Sequence, residues 1–168
     1  MILLGLSGAG KTTAGRLAAK VLGTRFVDLD REIARHARRP IPVIFERDGE
    51  AAFRVLESAC ARVAFAREPA VIAVGAGFVE DAANRAAARA AGLTVYLEVD
   101  PATAAARLRG GRGRPLLAGR DPAARLAAQL ERRRSAYLEA EHVVATDGES
   151  AETIAGRVAS LAREHGGW

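Results

Sequence analysis

The chain has 168 residues, 49% of them hydrophobic, which is enough for one domain with a real core, and no linker-like stretch divides it. Its one cysteine, Cys60, excludes an internal disulfide and a zinc site built from cysteines, and no apolar run approaches the ~20 residues needed to span a bilayer. The formal net charge is +5, but the basic residues are scattered and aromatics make up only 5%, so small anionic ligands are favoured over nucleic acid.

Apolar runs of strand length alternate with longer alanine-rich segments of helical period, which is the pattern of β-α-β units. The chain therefore predicts a three-layer α/β fold, a five-stranded parallel sheet flanked by helices. The predicted strands are residues 2–4, 25–29, 70–74, 94–99 and 142–145. The predicted helices are residues 11–22, 31–38, 50–66, 81–91, a short one after Pro101, 121–141 and 150–164.

The first predicted strand runs into GLSGAGKT, residues 5–12, which fits Gly-x4-Gly-Lys-Thr. Glycines let successive backbone N–H groups point at phosphate oxygens, and the start of the next helix adds the positive end of its dipole. The lysine places a cation on the outer phosphates and the threonine hydroxyl can bind Mg²⁺. We therefore predict a site for ATP and Mg²⁺. Its predicted residues are Gly8, Ala9, Gly10, Lys11, Thr12 and Thr13.

The second predicted strand ends in FVDLD, which places Asp28 and Asp30 two residues apart. Side chains at this spacing in a strand point to the same side, and ligands of parallel sheets collect at the carboxyl ends of strands. We therefore expect both carboxylates in the cleft. One can hold Mg²⁺ through water, and the other can orient an acceptor hydroxyl and take its proton.

The segment GGRGRPLLAGR, residues 110–120, contains four glycines, one proline and three arginines and has no usable hydrophobic period. This composition predicts a mobile loop. On composition alone, a solvated surface loop is the simpler interpretation.

Residues 44–57, IFERDGEAAFRVLE, contain Ile-Phe, Gly-Glu, Phe-Arg and a final Glu at the spacings found in the shikimate kinase family. A glycine-rich turn at 75–77, Arg-Pro-Leu-Leu at 114–117 and Arg-x-x-x-Tyr at 133–137 follow in the same order. Over about residues 1–141 the chain thus resembles that family of phosphate-loop kinases, which is related to the nucleoside monophosphate kinases.

The resemblance implies direct transfer of a phosphoryl group from MgATP to a hydroxyl of shikimate, giving shikimate 3-phosphate and ADP. It makes Asp30 the candidate base, with Lys11 and Arg114 acting on the phosphates. Asp28 and Thr12 would serve Mg²⁺, and Arg107 would stack on adenine. The residues that would bind the acceptor are Asp30, Arg54, Gly75, Ala76, Gly77 and Arg133, with Glu57 directing Arg54.

The same resemblance outlines the organisation of the chain. Residues 1–168 would form a single kinase domain, with an acceptor-binding region at about 31–62. The lid, at about 109–120, would exclude water during transfer. Because the chain passes directly from Met1 into a strand, without room for a secretion signal, we expect a cytoplasmic protein. We expect a monomer that binds ATP and a small acid, and neither nucleic acid nor membrane.

Departures from the family pattern leave the acceptor open. Ala76 stands where the family turn usually has glycine, and if this position needs a positive φ the methyl group costs on the order of 1 kcal/mol or shifts the turn. Arg38 also stands where relatives often carry glycine. A kinase of a related hydroxylated acid or aminated ring analogue is therefore an alternative, as is a non-catalytic ATP-binding regulator.

Overall fold

The computed structural model describes residues 1–109 and 121–168. Within them, five strands form one parallel sheet in the order β2-β3-β1-β4-β5, which confirms the predicted α/β class. The strands are β1 Ile2–Leu4, β2 Arg25–Asp28, β3 Ala70–Ala73, β4 Thr94–Glu98 and β5 His142–Ala145. The helices are α1 Lys11–Leu22, α2 Leu29–Ala37, α3 Ile41–Phe65, α4 Ala82–Ala91, α5 Pro101–Arg109, α6 Pro122–Tyr137 and α7 Ala151–His165.

The hydrophobic core lies along the three central strands. All of β1 and β3 is buried, and so is β4 up to Glu98, as expected for a parallel sheet covered on both faces. The helices α1 and α7 pack against each other, and the rings of Tyr96 and Tyr137 stack with their centroids 4.9 Å apart. None of the described helices is long and apolar enough to cross a lipid bilayer.

The order of the strands brings three predicted parts of the site to one edge of the sheet. The strands β2, β3 and β1 are parallel neighbours, so their carboxyl ends lie side by side. The phosphate loop follows β1, the acidic pair follows β2, and the turn at 75–77 follows β3. This is the edge at which parallel α/β sheets bind ligands.

The end of β2 differs from the prediction. The strand stops at Asp28, whose Oδ1 accepts a hydrogen bond of 3.3 Å from the backbone N–H of Arg31 and so caps α2. Asp30 consequently lies in the first turn of α2. The alternation argument used to place the two carboxylates together was therefore wrong, although both reach the same cavity.

The helix α3 begins nine residues before the predicted start at residue 50. Its two parts meet at Gly49, where φ is 80° and ψ is 172°, so the predicted helix corresponds to the second part. The first part begins after Pro40, with another proline in its first turn, a position that favours proline. A short 3₁₀ turn at Phe78–Glu80 was also not predicted.

Arg38 and Ala76, the two departures from the family pattern, differ in the sign of their backbone angle φ. Arg38 ends α2 with φ 52° and is the one residue other than glycine with positive φ in the described part of the chain. This explains why glycine suits that position. Ala76 does not have a positive φ, so the strain considered for its methyl group does not arise.

Candidate active site

The phosphate loop has a backbone that requires glycine. Gly5, Gly8 and Gly10 have φ values of 141°, 86° and 92°, which side chains rarely adopt. A Cβ on Gly8 would also lie 2.7 Å from the carbonyl oxygen of Ala104, too close for any other residue. Gly10 immediately precedes α1, so the positive end of that helix lies at the loop.

A cavity of about 340 Å³ lies beside the loop. It brings together most of the residues that the sequence predicted for the nucleotide, the two aspartates of the acidic pair, and two residues of the predicted acceptor turn. Those in its lining are Gly8, Gly10, Lys11, Thr12, Thr13, Asp28, Asp30, Gly75, Ala76 and Arg107. Ala9 is buried outside this lining, and its backbone N–H bonds to the carbonyl of Leu6 at 3.2 Å.

Lys11 and Thr12 place their polar groups in the cavity wall. The Nζ of Lys11 donates to the carbonyl oxygens of Gly5 at 2.6 Å and Leu6 at 2.9 Å, so the ammonium lies across the loop. The hydroxyl of Thr12 donates to Oδ2 of Asp28 at 2.9 Å. A hydroxyl and a carboxylate side by side are the oxygen ligands that Mg²⁺ prefers, so this pair fits the predicted metal.

Arg107 borders another part of the cavity. Its guanidinium donates to the hydroxyl of Thr146 at 3.1 Å and to the backbone oxygen of Thr146 at 2.5 Å, with a longer contact of 3.5 Å to the carbonyl of Gly8. The apolar side chains of Leu108 and Ile154 line the cavity beside it. A fixed planar cation next to apolar groups suits an aromatic ring.

The acceptor side begins where α2, α3 and the turn after β3 meet. A Cβ on Gly75 would lie 2.6 Å from Oε1 of Glu57 and 3.2 Å from Oδ1 of Asp30, so glycine is needed here for space. Glu57 is only 1% exposed. Burial raises the pKa of its carboxyl group, the hydrogen bond from Arg54 opposes this, and the charges of Asp30 and Glu80 raise the pKa further.

The two arginines predicted to hold a carboxylate lie just beyond this turn. Arg54 donates from Nη1 to Glu57 at 2.8 Å and from Nη2 to Glu50 at 2.9 Å, and a Cβ on Gly77 would collide with its guanidinium. Arg133, on α6, is 7% exposed and donates from Nε to Glu80 at 2.5 Å. The other oxygen of Glu80 lies 3.8 Å from Nη2 of Arg54, so both guanidinium groups converge on one carboxylate.

Tyr137 fixes the turn between these parts. Its hydroxyl donates to the carbonyl oxygen of Ala76 at 2.6 Å, and its ring is buried against Tyr96. Burial raises the pKa of the Tyr137 hydroxyl, so this group keeps its proton, and its role as a donor, to higher pH than an exposed tyrosine. The tyrosine of Arg-x-x-x-Tyr thus ties α6 to the turn at 75–77.

Arg114 and the predicted lid at 109–120 lie outside the described residues, apart from the backbone of Arg109 at the end of α5. A second cavity, of about 650 Å³, borders the outer side of β2. It shares Asp28 with the first cavity but contains no residue of the phosphate loop. Arg54 and Arg133 line neither cavity.

Comparison with known proteins gives the family. The family model described as shikimate kinase matches residues 7–162. The chain belongs to the shikimate kinase family. A shikimate kinase of Symbiobacterium thermophilum is 40% identical over 99% of this chain and 97% of its own, and one of Geobacter sulfurreducens is 40% identical over 98% and 91%. The predicted class, an ATP-dependent kinase that uses Mg²⁺, is thereby confirmed.

Solved structures agree with this family. A shikimate kinase from Acinetobacter baumannii in complex with shikimate superposes with a TM-score of 0.91 at 35% identity, covering 97% of this chain and 92% of that one. A gluconokinase from Sinorhizobium meliloti, with a TM-score of 0.62 at 19% identity and coverage of 97% and 94%, shares the fold alone.

Several residues of the site were not predicted from the sequence. Thr146 and Ile154 border the nucleotide side from the last strand and helix, and Glu80 reaches the two arginines from the 3₁₀ turn. Thr146 lies at the carboxyl end of β5, which is a usable signal. Glu80 carries no such signal, because its position depends on how α6 packs against the turn.

Proposed function

We propose that this protein transfers the γ-phosphoryl group of MgATP to a hydroxyl of shikimate, giving shikimate 3-phosphate and ADP. The observation that supports this proposal most is the convergence of Arg54 and Arg133 on one carboxylate. Two guanidinium groups in this arrangement suit the carboxylate of a small acid. They lie next to the turn that also lines the phosphate-loop cavity, so groups suited to both substrates share one sheet edge.

In this mechanism the chain supplies positioning and charge. Asp30 orients the acceptor hydroxyl and accepts its proton, and Lys11 offsets the charge of the phosphates. The backbone of the phosphate loop, residues 8–13, holds the phosphates, and Arg107 stacks on the adenine ring. The residues that would hold Mg²⁺ are Thr12 and Asp28, and the ion supplies charge that stabilises the transferring phosphoryl group.

The acceptor side is held from the backbone as well as from side chains. The turn of Gly75, Ala76 and Gly77 binds the ring, and Glu57 holds Arg54 in the direction of the acceptor. The positioning of Arg54 is supported by its 2.8 Å hydrogen bond to a carboxylate that is 1% exposed and so has little freedom to move.

The remaining assignments concern the whole chain. Residues 1–168 form one kinase domain that acts as a monomer in the cytoplasm, with residues 31–62 binding the acceptor. Residues 109–120 act as a lid that excludes water, and Arg114 stabilises the transferring phosphoryl group. Size-exclusion chromatography with light scattering measures the mass in solution and so tests the monomer. A mass near twice 17.7 kDa would contradict it.

The proposal is tested by ADP release in a coupled assay with MgATP and a panel of acceptors. The panel contains shikimate, an amino-substituted shikimate analogue and gluconate, a sugar acid. We expect turnover with shikimate that is lost when Mg²⁺ is omitted. The analogue is included because Ala76 adds a methyl group to the cavity lining. Turnover with the analogue but not with shikimate would assign the chain to that acceptor, and tight ATP binding without any turnover would indicate a regulator.

A further inference from the structure

Glu80 occupies a position between the two arginines that the proposed function assigns to the acceptor. Its Oε1 accepts a hydrogen bond of 2.5 Å from Nε of Arg133, and its Oε2 lies 3.8 Å from Nη2 of Arg54. One oxygen faces each guanidinium. A carboxylate ligand held by two arginines would be placed in the same way.

The carboxylates that contact the two arginines outnumber them. Two cations, Arg54 and Arg133, contact three carboxylates, which belong to Glu50, Glu57 and Glu80. When all five groups are ionised, the cluster carries a net charge of −1, from two positive and three negative groups. An incoming acid is repelled by such a cluster unless one carboxylate moves away.

Glu80 is the carboxylate that can leave and thereby free both arginines. The side chain of Glu57 is 1% exposed and cannot reach water, whereas that of Glu80 is 38% exposed at the end of the short 3₁₀ turn. Glu50 is 65% exposed, and its ion pair among the described residues is with Arg54. Arg133 also donates from Nη1 to the neutral side-chain amide oxygen of Gln129 at 3.3 Å. Departure of Glu80 therefore changes the charge beside Arg133 most.

We infer that Glu80 is an internal competitor for the acceptor: its carboxylate occupies the position between Arg54 and Arg133, and the carboxylate of the acceptor must displace it. The inference rests on the proposed function, because it takes these arginines as the acceptor's binding groups. The apparent affinity for the acceptor is then the intrinsic affinity multiplied by the fraction of molecules in which Glu80 has moved away. Glu80 thus weakens acceptor binding without taking part in the chemistry.

Replacement of Glu80 by glutamine tests this inference, because it removes the charge and keeps the shape. We expect Glu80→Gln to lower the KM for shikimate on the order of tenfold. The expected kcat and KM for ATP stay within about twofold of wild type, since the ion pairs of Glu80 are with the two acceptor arginines. Glu68→Gln is the matched control. It makes the same charge change at a side chain that is 85% exposed and pairs with Arg25, and both KM values should stay at the wild-type level.

A binding measurement separates this inference from the proposed function. Cyclohexanecarboxylate has the ring and the carboxylate but no hydroxyl to phosphorylate, and calorimetry gives its Kd without turnover. We expect Glu80→Gln to lower this Kd by the same factor as the KM for shikimate. If wild type does not use shikimate, the proposed function fails and the Kd alone decides the inference.

A purely structural role of Glu80 predicts that both constants change in the opposite direction. If Glu80 served to hold Arg133 in place, its replacement would loosen the arginine and raise both the KM for shikimate and the Kd for cyclohexanecarboxylate. A raised or unchanged value of either constant, in a variant with a wild-type urea unfolding curve, would overturn the inference. Glu80→Ala should lower both constants as well, because the competing carboxylate is again absent.

Discussion

Glu57 holds Arg54 through a carboxyl group that is almost fully buried. Its Oε2 accepts the hydrogen bond from Arg54, whereas Oε1 has no hydrogen-bond partner among the described residues. A buried charge satisfied on one side costs stability, so this residue is better explained by the direction it gives to Arg54 than by a gain in folding energy. Burial lowers the pKa of Arg54, but the hydrogen bonds and charges of Glu57 and Glu50 together outweigh it, so the pKa of this guanidinium is raised.

Glu57→Gln should alter how stability depends on pH. Burial raises the pKa of Glu57 above its ordinary value of 4.5, so the folded state binds more protons than the unfolded state in the window above 4.5. The free energy of unfolding of wild type should therefore fall, relative to the variant, as the pH rises through that window. Above the folded-state pKa the difference should become constant. Urea unfolding of both proteins between about pH 4 and pH 8 measures it, and a pH-independent difference would contradict a raised pKa.

At the scale of elements, the turn between α2 and α3 contains a residue in an unfavourable conformation. Arg38 has φ 52° and ψ 30°, in the left-handed region, where a side chain costs of order 1 kcal/mol and glycine is preferred at helix ends. The exposed arginine at this position has no described ion pair that compensates for the conformation. The end of α2 is thus less stable than a glycine would make it.

Arg38→Gly should stabilise the protein by about 1 kcal/mol, because glycine adopts positive φ without strain. The midpoint of urea unfolding, with an unchanged slope, measures this gain. Arg62→Gly is a suitable comparison, since Arg62 is exposed within the regular part of α3 and glycine there should destabilise by about 1 kcal/mol. A loss of stability in Arg38→Gly would show that the arginine makes a contact worth more than the strain.

Local sequence signals located the elements to different degrees. The bounds of β1, α1 and β5 agree with the prediction, because the phosphate loop, Gly23 and an isolated apolar run mark them clearly. The first part of α3 was not predicted, although the proline in its first turn is a residue that suits this position. The end of β2 at Asp28 could not be predicted from the alternation of side chains along a strand, since the side chain of Asp28 caps α2 and the helix begins there.

At the scale of the whole molecule, the site is produced by the order of the strands and the packing of α3 and α6. Alternating strands and helices predict a parallel sheet and hence the edge that binds ligands. They do not predict that β3 lies between β1 and β2, which places the turn at 75–77 next to both the phosphate loop and Asp30. The meeting of Arg54 and Arg133 was implied by the family resemblance, and periodicity alone could not have shown it. The position of Glu80 between them was not predicted.

In the proposed function, an acid and a nucleotide occupy neighbouring parts of one site, and Arg54 binds only the acid. The most direct test is the steady-state kinetics of Arg54→Ala with shikimate and MgATP, compared with Arg62→Ala on the same helix. Loss of a charged hydrogen bond of about 1.5–3 kcal/mol should raise the KM for shikimate roughly 10- to 150-fold, with the KM for ATP unchanged. The Arg62→Ala control should leave both values unchanged. A wild-type KM for shikimate in Arg54→Ala would contradict the account.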